Sequence, residues 1–202
     1  MKSRKSFWLG TLAVVAVGLV TGVTLADRVL HRPVQSAEAA WAEVFDSPAG
    51  LARSVDVIAL AQAVGVAPGR VATSDKGEGP LPFQLVDFDV IHGLKGTAAG
   101  DRVTVERAGG VGPSGQAVAI TADGGDFVPG EVYLLFLKQQ PDGAYFYQVN
   151  DQGRYQLKGN HFLAVRPDDP VATRLHGVTL EQGLARVEAA LGGDRPGGIL
   201  EK

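Results

Sequence analysis

Four side chains are the best candidates for a functional site, and the first two are a pair of carboxylates. Asp87 and Asp89 lie two residues apart in a stretch that alternates apolar and polar residues, so a β-strand places both on one face. Paired carboxylates can act as acid and base in a hydrolase, or they can bind calcium. Decoration of an outward-facing strand explains the same spacing, and we favour that interpretation.

The other two candidates are aromatic. Tyr145 and Tyr147 share one face of a short predicted strand, and Phe146 lies on the other face. Small β-barrels often bind ligands on an exposed aromatic face, although rings at this spacing also fill small cores, which is the interpretation we favour. Together with Asp87 and Asp89, the two tyrosines define the candidate ligand face.

No catalytic, cofactor or metal site is predicted. The sequence has no cysteine, which excludes thiolate catalysis, disulfides, cysteine zinc sites and iron–sulfur clusters. Residues 110–115 match the G-x-G-x-x-G dinucleotide pattern, but the alternation after them predicts a strand where such a site requires a helix. The histidines match no local metal-binding spacing, and they are His31, His92, His161 and His176.

The elements that must position these residues are mainly short strands. Alternating hydrophobicity and turn signals between residues 56 and 165 predict about seven strands, which is typical of an all-β barrel or sandwich. Pro68 and Gly69 are expected to turn or bend the chain. The segment 131–137 is apolar on both faces, so both of its faces should be covered.

Two helices are predicted beside the strands. Ser47 and Pro48 suit the N-cap and first turn of a short helix that ends near Ser54. Residues 179–182 form a capping box at the start of a C-terminal helix. An apolar stripe on this second helix is expected to cover one side of the 131–137 strand. The stripe consists of Leu180, Leu184, Val187 and Leu191.

Composition and charge narrow the class of protein. A chain of 202 residues, 45% apolar and 20% charged, is expected to form one folded domain. Its 27 glycines lack a collagen period and favour a turn-rich β fold. Residues 1–32 carry five of the 19 basic and one of the 22 acidic residues, which leaves 14 bases and 21 acids, a net charge of −7, on the remainder. This acidic body argues against nucleic-acid binding.

The N-terminus is predicted to cross a membrane. Residues 7–26 are uncharged, follow three basic residues, and are long enough as a helix to span a bilayer core. The distribution of basic residues favours a cytoplasmic N-terminus, so we expect a single-pass anchor in the cell membrane with an extracytoplasmic body. A cleaved signal peptide with a secreted product is the alternative. Thr24 and Ala26 suit the cleavage site, and Ala37 and Ala39 also fit but lie farther from the apolar run.

Within this segment, Gly18 and Gly22 form a G-x-x-x-G step, and Ala26 extends the same spacing. Small residues four apart allow two membrane helices to approach closely, which predicts a helix dimer through Gly18 and Gly22. Small residues are also common in membrane helices that do not dimerise, and this simpler interpretation remains open.

Several segments resemble a group of exported, membrane-anchored bacterial proteins of unknown function. They are an early strand at 54–66, a strand that ends in Leu-Lys-Gly at 90–96, the Gly-Gly loop at 109–110, and the 129–137 strand with its YLLFL sequence. A Gly-Arg-Tyr strand at 153–155 and the final amphipathic helix complete the resemblance, which covers roughly residues 45–191.

The strand order is also similar to the oligonucleotide/oligosaccharide-binding (OB) barrel of tissue inhibitors of metalloproteinases and netrin-like modules. This second resemblance implies a fold only. Those inhibitors chelate zinc through an N-terminal cysteine, and this chain has no cysteine, so inhibition of that kind does not carry over.

These features predict a mainly β chain: a small OB-like antiparallel β-barrel with a C-terminal amphipathic helix, preceded by one N-terminal transmembrane or signal helix. The expected organisation is a membrane or signal segment, a spacer, a barrel domain and a tail. Their ranges are 1–32, 33–46, 47–192 and 193–202.

The expected function is a membrane-tethered binding or scaffolding module with a protein partner outside the membrane. No convergent set of acid, base and nucleophile is visible in the sequence, which favours binding over catalysis. The alternative is an extracytoplasmic hydrolase or metal-dependent enzyme that uses Asp87 and Asp89.

Overall fold

The computed structural model of the protein describes residues 35–37, 43–73, 80–112, 115–120 and 125–192. The predicted membrane segment 7–26, with Gly18 and Gly22, and the tail 193–202 lie outside these described residues. Among the helices of the described part, none is both long and apolar enough to cross a membrane.

Within the described ranges the chain is mainly β, with ten strands, two α-helices and two short 3-10 helices. The strands are β1 (Gln35–Ala37), β2 (Val57–Ala72), β3 (Leu81–Lys95), β4 (Arg102–Ala108), β5 (Gly110–Val111), β6 (Ala117–Ile120), β7 (Val132–Gln139), β8 (Phe146–Gln148), β9 (Arg154–Lys158) and β10 (His161–Ala164). The α-helices are α1 (Pro48–Ser54) and α2 (Leu180–Gly192), and the 3-10 helices are Asp151–Gly153 and Ala172–Arg174.

Five of these strands close into a ring. β2 pairs with β3 and β7, β3 pairs with β4, and β8 joins β4 to β7, so the order around the ring is β7-β2-β3-β4-β8. Within this ring β4 and β8 run parallel and the other pairs are antiparallel. β9 and β10 extend the sheet from β7 outside the ring, and β1, β5 and β6 form a separate small sheet.

The β2–β3 hairpin is longer than the ring. β7 pairs with β2 over Val57–Gln62, and residues 64–72 of β2 pair with β3 alone within the described part of the chain. Of the two outcomes predicted at Pro68 and Gly69, the turn is wrong, because Pro68 lies opposite Gln84 inside the hairpin, whereas the register shift between Pro68 and Val71 is consistent with a bend. Proline lacks an N–H group, and it is tolerated there because this part of β2 is a sheet edge.

The interior of the ring combines small side chains with aromatic rings. Phe88, Phe127 and Tyr133 meet edge to face, with ring centroids 5.0 to 6.1 Å apart. Opposite them, β2 contributes three fully buried alanines, so the rings have room to interlock. These alanines are Ala59, Ala61 and Ala63.

β7 is covered on both faces, as its sequence predicts. Tyr133, Leu135 and Leu137 point into the ring, whereas Leu134 and Phe136 point outward into a second core. All five side chains are at most 2% exposed. The second core lies between this outer face, the helices α1 and α2, and the β9–β10 hairpin.

Both predicted helix starts are confirmed. Ser47 Oγ accepts a hydrogen bond from Gly50 N at 3.1 Å, as an N-cap should. Gln182 N donates to Thr179 Oγ1 at 3.3 Å and Thr179 N donates to Gln182 Oε1 at 3.4 Å, which completes the capping box.

The apolar stripe of α2 covers less of β7 than the sequence predicts. Val187 is 3% exposed and belongs to the second core, whereas Leu184 is only half-buried and lies outside it. The reason is that α1 also packs in this core and shares the cover of β7. α2 approaches β10 instead, where Gly183 leaves room for the Phe162 ring; an added Cβ would lie 2.4 Å from that ring.

Val187→Asp is expected to lower the free energy of unfolding by about 3 kcal/mol, because it places a carboxylate in an apolar core. Ala189→Asp, on the exposed side of the same helix, is the control and should change it by less than about 0.5 kcal/mol. Denaturant unfolding followed by circular dichroism measures both values. Equal effects of the two substitutions would contradict the packing of α2.

Candidate functional site

A cleft opens where the ring is joined most weakly. β4 and β8 share a single residue pair, Val105 with Phe146, and no further pair joins these two strands. The space beside this junction is a cleft of about 420 Å³, called the seam cleft below. Its walls are aromatic, apolar and charged: Phe83, Val105, Glu106, Arg107, Ala108, Ile120, Phe127, Gln140, Pro141, Tyr147 and Gln148.

A buried carboxylate on β4 forms one rim of the seam cleft. The Glu106 side chain is 4% exposed, and Arg70 Nε and Nη2 donate to its two oxygens at 2.8 and 2.9 Å. Gln140 Nε2 donates to the same carboxylate at 3.2 Å. The hydrogen bond to Glu106 raises the pKa of Arg70, and its guanidinium also lies 4.3 Å from the centre of the Phe83 ring. This bidentate ion pair fixes the orientation of the Arg70 guanidinium and the Glu106 carboxylate at the rim.

The turn between β7 and β8 extends the seam cleft into a neighbouring space of about 350 Å³. Glu106, Gln140 and Pro141 line both spaces, so the two are adjacent. The turn also carries Asp142, and Tyr145 closes its far side before β8 begins.

Two buried arginines hold residues 125–127, a connecting segment before β7 that contributes Phe127 to the wall of the seam cleft. Arg107 is 5% exposed, and its Nη1 lies 2.5 Å from Asp126 Oδ1. Arg154 donates to the carbonyl oxygens of Gly125 and Asp126 at 2.7 and 3.0 Å, and its guanidinium stacks 3.8 Å from the centre of the Phe127 ring. These contacts position Phe127, which belongs to the core inside the ring and also lines the seam cleft.

The structure places both predicted tyrosines at this site. Tyr147 lines the seam cleft, Tyr145 lines the neighbouring space, and both are half-buried. Phe146, on the opposite face of β8, packs against the core inside the ring. Neither tyrosine belongs to the buried cores of the described residues.

The two predicted aspartates do not join the tyrosines. Asp87 Oδ1 accepts a hydrogen bond from Thr104 Oγ1 at 2.6 Å, and Asp89 Oδ1 accepts one from Arg102 Nε at 2.9 Å. Each partner lies directly opposite in the β3–β4 register, and neither aspartate lines the seam cleft. Among the residues that the structure describes, no group of three or more histidine, aspartate or glutamate side chains could hold a metal ion.

No pattern in the sequence predicts a site at Arg70, Glu106 and Gln140. Glu106 follows the alternation of β4, which predicts an exposed outward residue. It is buried because Arg70 and Gln140, 36 and 34 residues away, are brought over it. Their meeting depends on the bulged register of the β2–β3 hairpin and on the closure of β8 onto β4, which no local pattern encodes.

No family model, curated protein or solved structure matches this chain. The site is therefore interpreted from the geometry of its own residues.

The unequal burial of Arg70 and Glu106 makes a prediction about their removal. Arg70→Met leaves a buried carboxylate with Gln140 as its remaining donor, and should destabilise the protein by about 2 kcal/mol or more. Glu106→Gln leaves a guanidinium that is 57% exposed, and should cost about 1 kcal/mol. The double variant should be more stable than the sum of both losses implies. Denaturant unfolding of all four proteins tests this order, and the reverse order would refute the burial argument.

Proposed function

We propose that the protein is an extracytoplasmic, membrane-tethered binding module, whose seam cleft recognises an extended segment of a partner protein. The seam cleft itself carries this proposal, because it lies between two strands that share one residue pair. Extended peptides commonly bind along the free edge of a strand, where main-chain hydrogen bonds give affinity and side-chain pockets give specificity.

The walls of the seam cleft suit such a ligand. Phe83 and Tyr147 offer large, rigid surfaces for apolar side chains, and aromatic anchors of this kind dominate many protein interfaces. The paired Arg70 and Glu106, with Gln140, supply fixed polar groups at the rim. A partly apolar floor with a polar rim is the usual anatomy of a protein-binding surface.

We further propose that the ring is an OB-like barrel. Its support is the closed order of five strands with four antiparallel pairs and one parallel pair. An OB fold is a small five-stranded barrel that binds ligands on its outer face and at the loops beside it, and the seam cleft occupies such a position. We also propose that the chain is related in fold to the exported bacterial proteins and the netrin-like modules that its sequence resembles.

Residues 7–26 are proposed as the tether. Their length and lack of charge support an anchor that leaves the body outside the cell membrane. A tether of this kind holds the seam cleft near the membrane, where partner proteins are concentrated in two dimensions, so a modest intrinsic affinity is sufficient.

A photoreactive benzoylphenylalanine at Tyr147 is expected to crosslink to a protein when intact cells are illuminated. The control is the same substitution at Leu163, which is 37% exposed and lies on β10 outside the ring. The expected result is one protein adduct from position 147, with a yield at least five-fold higher than the yield of the same adduct from position 163. Mass spectrometry of the crosslinked peptide identifies the partner's segment.

Two outcomes of that experiment would overturn the proposed function. Equal adducts at both positions would show that proximity, rather than the seam cleft, selects the partner. An adduct that adds a saccharide or another small molecule would assign the seam cleft to a different ligand class.

The tether is tested by Val15→Lys combined with Val17→Lys. Each lysine at the centre of a spanning helix costs about 3 kcal/mol, so the pair should abolish insertion and leave the body inaccessible to protease added to intact cells. Val29→Gln with Leu30→Gln, outside the segment, is the control; it adds polar groups without changing the balance of basic residues, and should leave accessibility unchanged. Intact mass of the purified wild type decides the alternative: a mature chain that starts at Asp27 or at Ala40 means secretion rather than anchoring.

A further inference from the structure

The space next to the seam cleft has a wall of a different character. It has a volume of about 350 Å³, lies beside the turn between β7 and β8, and is called the turn pocket below. Pro141 and Asp142 are exposed and Tyr145 is half-buried, so these three side chains are accessible to a ligand. The complete wall consists of Arg70, Glu106, Gln140, Pro141, Asp142 and Tyr145.

The charged side chains that line the seam cleft and the turn pocket are paired, with one exception. The two cations are Arg70 and Arg107, which form ion pairs with Glu106 and Asp126 at 2.8 and 2.5 Å. Asp142 is the exception, because it forms no ion pair within the described part of the chain. The uncompensated charge at the site is therefore negative.

Arg70 does not compensate this charge as well. The hydrogen bond to Glu106 is the main cause that raises the pKa of Arg70, and the charge of Asp142 adds a smaller contribution. Nε and Nη2 of Arg70 both donate to the Glu106 carboxylate, so the charge of the guanidinium is already balanced there. Asp142 thus remains the charged group that a ligand can pair with.

The turn holds Asp142 in a fixed position beside Tyr145. Asp142 Oδ1 accepts a hydrogen bond from Ala144 N at 3.0 Å, and Gly143 N donates to the Gln140 oxygen at 2.8 Å. Gln140 N also donates to the Tyr145 oxygen at 2.8 Å, which continues the pairing of β7 and β8 up to Tyr145. A carboxylate and an aromatic ring that are held in one pocket wall suit a basic side chain, through an ion pair and a cation–π contact.

The two tyrosines set the spacing between the seam cleft and the turn pocket. Tyr147 lines the seam cleft and Tyr145 lines the turn pocket, two residues earlier in the chain. Alternate residues of an extended chain point to the same face and lie about 7 Å apart. An extended segment that runs beside β8 therefore places one side chain in the seam cleft and the side chain two residues away in the turn pocket.

We propose that the partner segment carries a lysine or arginine two residues from an apolar side chain, and that the turn pocket recognises this basic residue. The inference rests on the proposed function, because the apolar side chain is the one that occupies the seam cleft beside Tyr147. The basic group pairs with Asp142 and lies against the Tyr145 ring. The body, with 21 acidic and 14 basic residues after residue 32, adds a long-range attraction for such a segment.

The test is a selection on the full chain in lipid nanodiscs, and the probe is a displayed library of random decapeptides. Peptides that bind empty nanodiscs are removed first. Among the retained peptides, lysine or arginine two positions from an aromatic or large aliphatic residue should be enriched about five-fold over the unselected library. An exposed ion pair and a cation–π contact together account for an enrichment of this size.

Three variants assign the preference to the turn pocket. Asp142→Asn keeps an oxygen for the hydrogen bond from Ala144 N but removes the charge, so the basic preference should disappear. Asp142→Lys should reverse the preference toward aspartate and glutamate. Asp168→Lys, at an exposed acid that lines neither space, is the matched control and should select the same peptides as the wild type. Thermal melting followed by circular dichroism shows that each variant is folded.

The outcomes separate this inference from the proposed function through a fourth variant, Tyr147→Ser. Retained peptides that are lost in Tyr147→Ser but show no basic preference would overturn the inference and leave the proposed function standing. A basic preference that survives both substitutions of Asp142 would belong to the acidic body as a whole and would also overturn the inference. Peptides that bind Tyr147→Ser as well as the wild type would overturn the proposed function, and no retained peptide at all would overturn both.

Discussion

The narrow interior of the five-stranded ring is the constraint on which the rest of the structure depends. A ring of so few strands encloses little space, so large side chains cannot point inward from every strand. Within the described part of the chain, three small alanines of β2 share this interior with Phe88, Phe127 and Tyr133 and so leave room for the three rings. Phe127 comes from a connecting segment rather than from a strand, so the ring needs Arg154 to hold that segment in place. A ring filled by its own side chains favours binding at its outer surface, where the seam cleft lies.

The seam cleft lies beside the shortest strand of the ring. β8 is three residues long and meets β4 at one pair, so the ring closes with little main-chain bonding at that junction. Charged side chains join this region to the surface: Glu106 and Arg107 are neighbours on β4, and both are buried, whereas their partners Arg70 and Asp126 are 57% and 75% exposed. Each ion pair therefore holds one charged group at the surface in a fixed position. The proposed recognition of a partner relies on the first of these groups, because Arg70 lies at the rim of the seam cleft.

Local patterns in the sequence predict the elements well, and they predict the site only in part. Ser47 and Thr179 are confirmed as helix caps, and the apolar run at β7 is confirmed as a strand covered on both faces, because each signal acts within a few residues. The turn predicted at Pro68 did not form, because proline is also tolerated at the edge of a sheet, where Pro68 lies opposite Gln84. Tyr145 and Tyr147 could be singled out as aromatic residues on one strand face. The burial of Glu106 could not be predicted from the sequence, because it depends on Arg70 and on a register that is shifted by bulges in the β2–β3 pair.

The position of α1 depends on the ring through a lysine as well as through apolar packing. Lys95 Nζ donates to the carbonyl oxygens of Ala52, Arg53 and Val55, at 2.5 to 3.1 Å, and so caps the C-terminal end of α1. Lys95 ends β3, so the hairpin of the ring sets the position of α1. The next residue, Gly96, has a positive φ of 67° and approaches the Asp56 carbonyl so closely that a Cβ would lie 2.1 Å from it. The Leu-Lys-Gly segment thus links α1, which packs over the outer face of β7, to the strand pair that shapes the seam cleft.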